Sequence, residues 1–164
     1  MMRGHSLVTI CLVLGLAGCA ASKPFPQAAF TLPPIAADRG RIFFYSGESP
    51  GRPSLRSVFL NGEQAGVVIH GRVFYLDLAA ATYNIAVASH GGAPQPMGAV
   101  LLHSDQTIFL KIKPSNVAID APDETMIVGP AEAESELAEA YLVDPFSAVI
   151  SRTPFPPWSI TTRP

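Results

Sequence analysis

The chain has few cysteines and little charge. Only 2 of its 164 residues are cysteine, 15% are charged, and the formal net charge is −2. Cys11 and Cys19 both belong to the N-terminal segment, so the rest of the chain has no disulfide, catalytic thiol or cysteine-based zinc site. A basic stripe with interleaved aromatic residues is also missing, which argues against nucleic acid as a partner.

Long apolar runs are missing as well. Leu7–Leu16 is apolar apart from Thr9 and Gly15, and it has about half of the roughly 20 residues that a membrane-spanning helix needs. Arg3 precedes this run and small residues follow it, which is the pattern of a secretory signal peptide. We therefore expect residues 1–18 to be a signal peptide and not a permanent span.

The end of this segment is Leu16-Ala17-Gly18-Cys19, which resembles the lipobox of bacterial lipoprotein precursors. In that family the chain is cut between Gly18 and Cys19, the sulfur of Cys19 carries a diacylglycerol, and the new amino group is usually acylated, often with palmitate. Several acyl chains at about 0.8 kcal/mol per buried CH₂ make such an anchor effectively permanent. The alternative is an ordinary cleaved signal peptide with an incidental cysteine.

Ala20 follows the anchor residue. In Gram-negative lipoproteins an Asp at this position tends to retain the protein in the inner membrane, so Ala20 resembles the exported class. The resemblance therefore implies a lipid-anchored envelope protein on the periplasmic face of the outer membrane.

The remaining chain is rich in turn-forming residues, with 16 Pro and 13 Gly in the whole sequence. Its length suits one domain. We expect a Pro-rich extended tether over residues 19–38, a β-domain with a terminal helix over residues 39–143, and a Pro- and aromatic-rich tail over residues 144–164.

Short segments of alternating polarity predict the strands. Asn61-Gly62 lies between two apolar segments and predicts a tight hairpin, and Gly66 predicts a bulge or a close backbone approach. Residues 99–103 and 107–113 are expected to pair about a turn at Ser104-Asp105-Gln106, with Lys111 and Lys113 facing outward. Weaker strands are expected at residues 117–119 and 126–128.

One helix is expected near residues 130–142. Gly129-Pro130 is a suitable start, and Asp144-Pro145 a suitable stop. The apolar stripe follows i, i+4, i+7, i+8 spacing and consists of Ala133, Leu137, Ala140 and Tyr141. The predicted fold is thus mostly β: a small antiparallel β-sandwich, immunoglobulin-like or PEGA-like, with one short C-terminal amphipathic helix.

Residues 40–143 contain a set of motifs: an opening strand Gly40–Tyr45, the segment Val58–Gly66, the Gly-x-x-Phe/Tyr-x-x-Asp element Gly71–Asp77, the strand Thr82–Ile85, the strand Thr107–Ile112, and a Glu-rich helix ending at Leu142-Val143. These motifs resemble a family of small lipoproteins called domain of unknown function 2846. The resemblance implies an envelope lipoprotein and no particular chemistry. The chain departs from the family at Ala79-Ala80-Ala81, where relatives usually carry Pro-Gly.

Catalytic and metal-binding patterns are weak. His70, His90 and His103 lack the spacing of metal ligands and suit solvated turns. Asp77 lies among apolar neighbours and is expected to accept hydrogen bonds from a turn rather than to act as a catalytic carboxylate. We expect no catalytic residue, no metal and no cofactor, and we expect Glu132–Glu139 to be a solvated face.

Two classes of function remain. The first is a non-enzymatic module that binds an envelope protein or peptidoglycan, and the second is a hydrolase or other enzyme with a dispersed active site. The tail carries large apolar rings on a stiff backbone, so Phe155 and Trp158 are candidate partner contacts. Alternatively, the tail covers the open end of the sandwich and has a structural role.

Overall fold

A computed structural model describes residues 23–29, 31–47, 55–89, 92–115 and 123–145 of the chain. The expected signal peptide, residues 1–18, and residues 146–164 of the expected tail lie outside these ranges. The described elements are β1 (Lys23–Pro24), α1 (Phe25–Ala29), β2 (Arg39–Ser46), β3 (Arg56–Leu60), β4 (Glu63–Val68), β5 (Arg72–Ala79), β6 (Ala81–Ser89), β7 (Gln95–Leu102), β8 (Thr107–Lys113), β9 (Glu124–Val128), α2 (Pro130–Glu136) and β10 (Tyr141–Leu142).

The described strands form two sheets that pack on one apolar core. One sheet has the order β1-β10-β5-β2-β8-β9, and the other has the order β4-β3-β6-β7. Alternate residues of a strand point to opposite faces, so Ile42 and Phe44 of β2 point into this core, where Phe44 stacks on Phe74 with ring centroids 4.9 Å apart. The expected mostly β sandwich with a short helix is confirmed.

A second apolar cluster covers the other face of the six-stranded sheet. Phe43 and Tyr45 of β2 point into it, and Phe25 of α1 meets Phe43 edge-on with ring centroids 5.5 Å apart. Leu137, which directly follows α2, packs in the same cluster. Because both faces of β2 are covered, its sequence is a continuous apolar run rather than an alternating one.

The first described residues are docked on the domain. Lys23 and Pro24 pair with β10, and Phe25 N–H donates to the carbonyl of Ala140 at 2.6 Å. Phe25 and Ala28 are buried. The structure differs here from the extended tether predicted over residues 19–38, because the Phe25 ring gains more by joining the second cluster than by staying in water.

The hairpin predicted between β3 and β4 is present. Asn61 and Gly62 have φ values of 51° and 88°, as its two-residue turn requires. The predicted bulge is present, since the β3–β4 register shifts beside Gly66. The close neighbour of Gly66 is a side chain and not a backbone, because a Cβ there would lie 2.6 Å from Phe74 Cζ.

The predicted pairing of residues 99–103 with residues 107–113 is wrong. The turn at Ser104-Asp105-Gln106 exists, and Asp105 has a φ of 60°, but the chain passes there from one sheet to the other. β7 pairs with β6, whereas β8 runs parallel to β2 and antiparallel to β9. The alternation of residues 107–113 was predicted correctly, but alternation does not specify which strand is the neighbour.

The C-terminal helix is shorter than predicted. It begins at Pro130 after Gly129, as expected, but it ends at Glu136, and residues 141–142 form β10 beside β5. Ala133, Leu137 and Ala140 of the predicted stripe are buried, whereas Tyr141 is 48% exposed. The strand predicted at residues 117–119 lies outside the described residues, and the one at 126–128 is part of β9.

Candidate ligand cleft

A cleft of about 560 Å³ lies at one end of the six-stranded sheet, beside α2. The topology creates it: β2 and β8 are parallel and β5 is antiparallel to both, so the ends of β2 and β8 meet the start of β5. The lining residues are Tyr45, Ser46, Gly47, His70, Gly71, Arg72, Lys111, Lys113, Met126, Glu136, Leu137, Glu139 and Ala140.

A three-residue network connects α2 to the sheet along this cleft. The Tyr45 hydroxyl donates to Glu136 Oε2 at 2.8 Å, and Lys111 Nζ forms an ion pair with Glu136 Oε1. Tyr45 and Lys111 are direct neighbours across the parallel pair of β2 and β8, so their side chains share the face that α2 covers. Glu136 therefore accepts hydrogen bonds from side chains of two strands, and these bonds hold the end of the helix against both strands.

Gly47 permits the position of Lys111. A Cβ at residue 47 would lie 2.8 Å from Lys111 Cε, so a side chain there would require the end of the lysine to shift from this path. The absence of a side chain at residue 47 thus contributes to the network although Gly47 donates no hydrogen bond to it.

The network changes the acidity of two of its members. Burial, together with the hydrogen bond to Glu136, raises the pKa of Tyr45 well above its ordinary value of 10.0. Burial acts to raise the pKa of Glu136, but hydrogen bonds from Lys111 and Tyr45 outweigh it and lower that pKa. At neutral pH the pair is therefore a neutral phenol and a carboxylate, each engaged with a partner.

Other charged side chains of the cleft have no such partner. Within the described residues, Arg72, Lys113 and Glu139 form no side-chain hydrogen bond or ion pair, and all three are exposed. Glu124 faces Lys113 across β8 and β9 but does not line the cleft. His70 lies beside Arg72 at the turn that leads into β5.

A second buried polar contact lies toward the other end of the same sheet. Arg41 Nε and Nη2 donate to the two carboxylate oxygens of Asp77 at 2.6 and 2.7 Å, and the guanidinium lies 4.5 Å above the ring of Tyr75. The hydrogen bonds to Asp77 raise the pKa of Arg41. The expectation that Asp77 accepts hydrogen bonds from a turn is wrong, because its partner is a cross-strand arginine.

Most of the residues that the sequence analysis singled out do not line the cleft. Gly18, Cys19, Phe155 and Trp158 are outside the described residues, as is His90. His103 is exposed at the turn after β7, and only His70 reaches the cleft. Over the described ranges, no group of three or more His, Cys, Asp or Glu side chains is arranged to hold a metal ion.

The sequence analysis missed the network because its members belong to distant segments. It expected Lys111 and Lys113 to face solvent and Glu136 to belong to a solvated helix face. Lys111 is in fact only 15% exposed in its side chain, because α2 covers the outer side of β8. The sequence did contain one indication of this covered face. Phe109 and Lys111 alternate with the inward-facing residues of β8, so an aromatic ring and a lysine lie on the same face of the strand.

The fold and the cleft together define a small β-sandwich domain with a charged cleft at the end of one sheet. No protein family model, curated protein or solved structure matches the chain. In the part of the chain that the structure describes, neither helix is long and apolar enough to cross a membrane.

Proposed function

We propose that this protein is a lipid-anchored envelope lipoprotein whose β-sandwich is a non-enzymatic binding module. The observation that carries the anchor is the sequence Leu16-Ala17-Gly18-Cys19 at the end of a short apolar run. Processing before Cys19 leaves that residue as the acylated N-terminus. The membrane is then the first partner of the protein, through its lipid.

The docking of residues 23–29 supports a short connection between lipid and domain. Lys23 already pairs with β10, and it follows Cys19 by four residues in the sequence. Four residues span at most about 14 Å. The sandwich is therefore held near the headgroup region, and the proposed binding sites operate close to the membrane or to the cell-wall layer next to it.

Lipidation is tested by replacing the two cysteines one at a time. We expect Cys19→Ser to abolish labelling with a radioactive fatty acid and to leave an unprocessed or soluble product. Cys11→Ser is the matched control, because Cys11 lies within the signal peptide, and it should be labelled like the wild type. Unchanged labelling of the Cys19→Ser variant would contradict the proposal.

The proposed location is the periplasmic face of the outer membrane, and Ala20 supports it. Separation of the two membranes by density in a Gram-negative host should place the wild-type protein in the outer-membrane fraction. We expect Ala20→Asp to move it to the inner-membrane fraction, with Ala21→Asp as a control at the next position. A wild-type protein found in the inner membrane would contradict this location.

The chemistry of the cleft favours binding over hydrolysis. Glu136 has a lowered pKa and accepts hydrogen bonds from Tyr45 and Lys111, so it is not poised to take up a proton near neutral pH. Tyr45 has a raised pKa and is not poised as a nucleophile. Side chains whose hydrogen bonds are already made within the protein keep fixed positions, and a fixed surface suits a binding site.

The C-terminal tail is proposed as a second contact element through Phe155 and Trp158. The last described residue is Pro145, whose carbonyl accepts a hydrogen bond from Val67 N–H on β4. We expect truncation after Ser151 to leave stability unchanged and to reduce recovery of envelope partners after cross-linking. A loss of several kcal/mol of stability would instead assign the tail a structural role.

A further inference from the structure

We propose that one corner of the β-sandwich contacts the membrane surface, with the ring of Tyr141 in the headgroup layer and the guanidinium of Arg72 on the phosphates of the lipids. The corner consists of Pro24, His70, Arg72 and Tyr141. This inference rests on the proposed function, since it presupposes the lipid anchor at Cys19, and it adds which side of the domain faces the bilayer. The partner is the phospholipid surface and not a protein.

Three strands place this corner beside the first described residues. Pro24 of β1 pairs with Tyr141 of β10, and Tyr141 pairs with Arg72 of β5. Residues that lie directly opposite each other in neighbouring strands point to the same face of a sheet, so these three side chains form one row. His70 lies at the end of the row, because the carbonyl of the next residue, Gly71, accepts a hydrogen bond from Tyr141 N–H at 2.9 Å.

The corner presents an aromatic ring and a cation to solvent. Tyr141 is 48% exposed, and Arg72 and His70 are exposed as well. Arg72 is in phase with Phe74, which points into the sandwich core, so the row lies at the rim of that face, where the four-stranded sheet leaves it uncovered. Among the described residues, the Arg72 guanidinium has no hydrogen-bond or ion-pair partner. A tyrosine ring suits a membrane interface, and a guanidinium donates two parallel hydrogen bonds to a phosphate.

The length of chain between the anchor and the domain brings this corner to the bilayer. Lys23 of β1 is paired with β10, and it follows Cys19 by four residues, which span at most about 14 Å. A domain of about 100 residues has a radius of gyration of about 13 Å, which corresponds to a sphere roughly 34 Å across. The connection is less than half of that diameter, so the side of the domain remote from β1 cannot face the membrane.

Net charge does not drive this contact. Glu139 and Asp144, which precede and follow β10, are both exposed, so the charge around Arg72 is mixed. The anchor supplies the driving force instead, because a short connection gives the tethered domain an effective concentration in the millimolar range at the surface. A contact whose dissociation constant is itself about 1 mM is then substantially occupied. Every phospholipid carries a phosphate, so Arg72 needs no anionic lipid to make this contact.

The test uses the full-length lipidated protein in vesicles of phosphatidylethanolamine and phosphatidylglycerol. Cys11 and Cys19 are the two cysteines of the chain; the proposed processing removes the first and acylates the second, so an introduced cysteine is the only free thiol. A nitrobenzoxadiazole fluorophore is attached at His70→Cys or, as the matched control, at Ala79→Cys. Ala79 is exposed at the other end of β5, about 23 Å from Arg72 at about 3.3 Å per residue.

A lipid with a nitroxide on its headgroup is expected to quench the fluorophore at residue 70 at least about threefold more than at residue 79, because the headgroup layer is only about 5–8 Å thick on each side of the bilayer. Tyr141→Ser and Arg72→Gln should each reduce the quenching at residue 70 about twofold or more, since each removes one of the two contacts. Arg39→Gln, an exposed cation next to Ala79 across β2 and β5, is the control and should leave the quenching unchanged. The three replaced side chains are exposed, so the variants should keep the wild-type urea midpoint.

Several results would overturn the proposal. A protein that carries its fatty acid and floats with the vesicles, but is quenched equally at residues 70 and 79, would refute the contact and leave the anchor intact. A fluorophore at residue 70 that is shielded from aqueous iodide without being quenched by the lipid would show that protein covers the corner, either a second copy or residues 146–164. A protein that carries no fatty acid and does not float would refute the anchor, and the membrane contact with it.

Discussion

Arg41 and Asp77 face each other in register across β2 and β5, and the guanidinium donates to both carboxylate oxygens. Arg41 is 7% exposed in its side chain, whereas Asp77 is 26% exposed. Arg41 Nη2 also donates to the carbonyl of Pro33 at 2.9 Å. One buried guanidinium thus connects the central strand, its neighbour and the segment that precedes β2.

Asp77→Ala is expected to lower the free energy of unfolding by about 2–4 kcal/mol, because it leaves the Arg41 charge buried without its partner. Urea denaturation followed by circular dichroism measures the change. Asp105→Asn is the control: Asp105 is exposed in a turn with positive φ, a conformation that Asn also tolerates, so a change within about 0.5 kcal/mol is expected. Equal free energies of unfolding for the two variants would contradict a stabilising role of the ion pair.

Gly66→Ala is expected to destabilise the sandwich by about 1–3 kcal/mol through overpacking. The new Cβ would lie 2.6 Å from Cζ of Phe74, a fully buried ring that already stacks on Phe44. Gly129→Ala is the matched control, because a Cβ there meets nothing within 4 Å. The prediction fails if both variants show the wild-type urea midpoint.

Phe25→Ala is expected to cost about 3 kcal/mol, because it removes a buried ring from the cluster under α1 and α2. Phe25 is 5% exposed and contacts Phe43. Ile127→Ala is the control, since it truncates an apolar side chain that is 61% exposed. Limited proteolysis should also cut the Phe25 variant faster before residue 31, and resistance equal to the wild type would show that residues 23–29 are not held by this ring.

The stability of the protein is expected to fall in acid partly through Glu136. Its pKa is lower in the folded protein than its ordinary value of 4.5, so the folded state favours the carboxylate more strongly than the unfolded chain does. This stabilisation is present above pH 4.5 and is lost as the pH falls through the lowered folded pKa.

Glu136→Gln removes that contribution. The variant is expected to be less stable than the wild type at neutral pH and to approach it as the pH falls below 4.5, in thermal melts taken across this range. Glu134→Gln, an exposed position on the same helix, is the control and should follow the wild-type profile. Parallel profiles for the wild type and Glu136→Gln would contradict the prediction.

Local features were predictable from the sequence, and long-range ones were not. The Asn61-Gly62 turn depends on two adjacent residues that tolerate positive φ, and the start of α2 depends on Gly129-Pro130. In contrast, the partner of Asp77 lies 36 residues earlier, and the docking of Phe25 depends on a cluster assembled from distant segments. The end of α2 at Glu136 was missed because β5 offers residues 141–142 a strand pairing that the helical stripe did not reveal.

The candidate cleft also combines local features, which the sequence predicted, with long-range ones, which it did not. Lys111 and Lys113 were correctly placed on one face of a strand by their alternation. Only the coverage of that face by α2 converts Lys111 from a solvated cation into a partner of Glu136, and this coverage depends on tertiary packing. Residues near Arg72 join the cleft because β5 is antiparallel to β2, a relation that alternation alone does not specify.

The parallel pairing of β2 with β8 has a consequence for the order in which the chain folds. Arg41 pairs with Thr107, 66 residues later, so the apolar strand β2 cannot complete its hydrogen bonding until most of the domain has emerged. Pairings over such separations close slowly, on the order of milliseconds to seconds in β-rich domains. A newly synthesised chain therefore exposes Ile42-Phe43-Phe44-Tyr45 as an unpaired edge during that interval, and a chaperone that binds extended apolar segments would act at this strand.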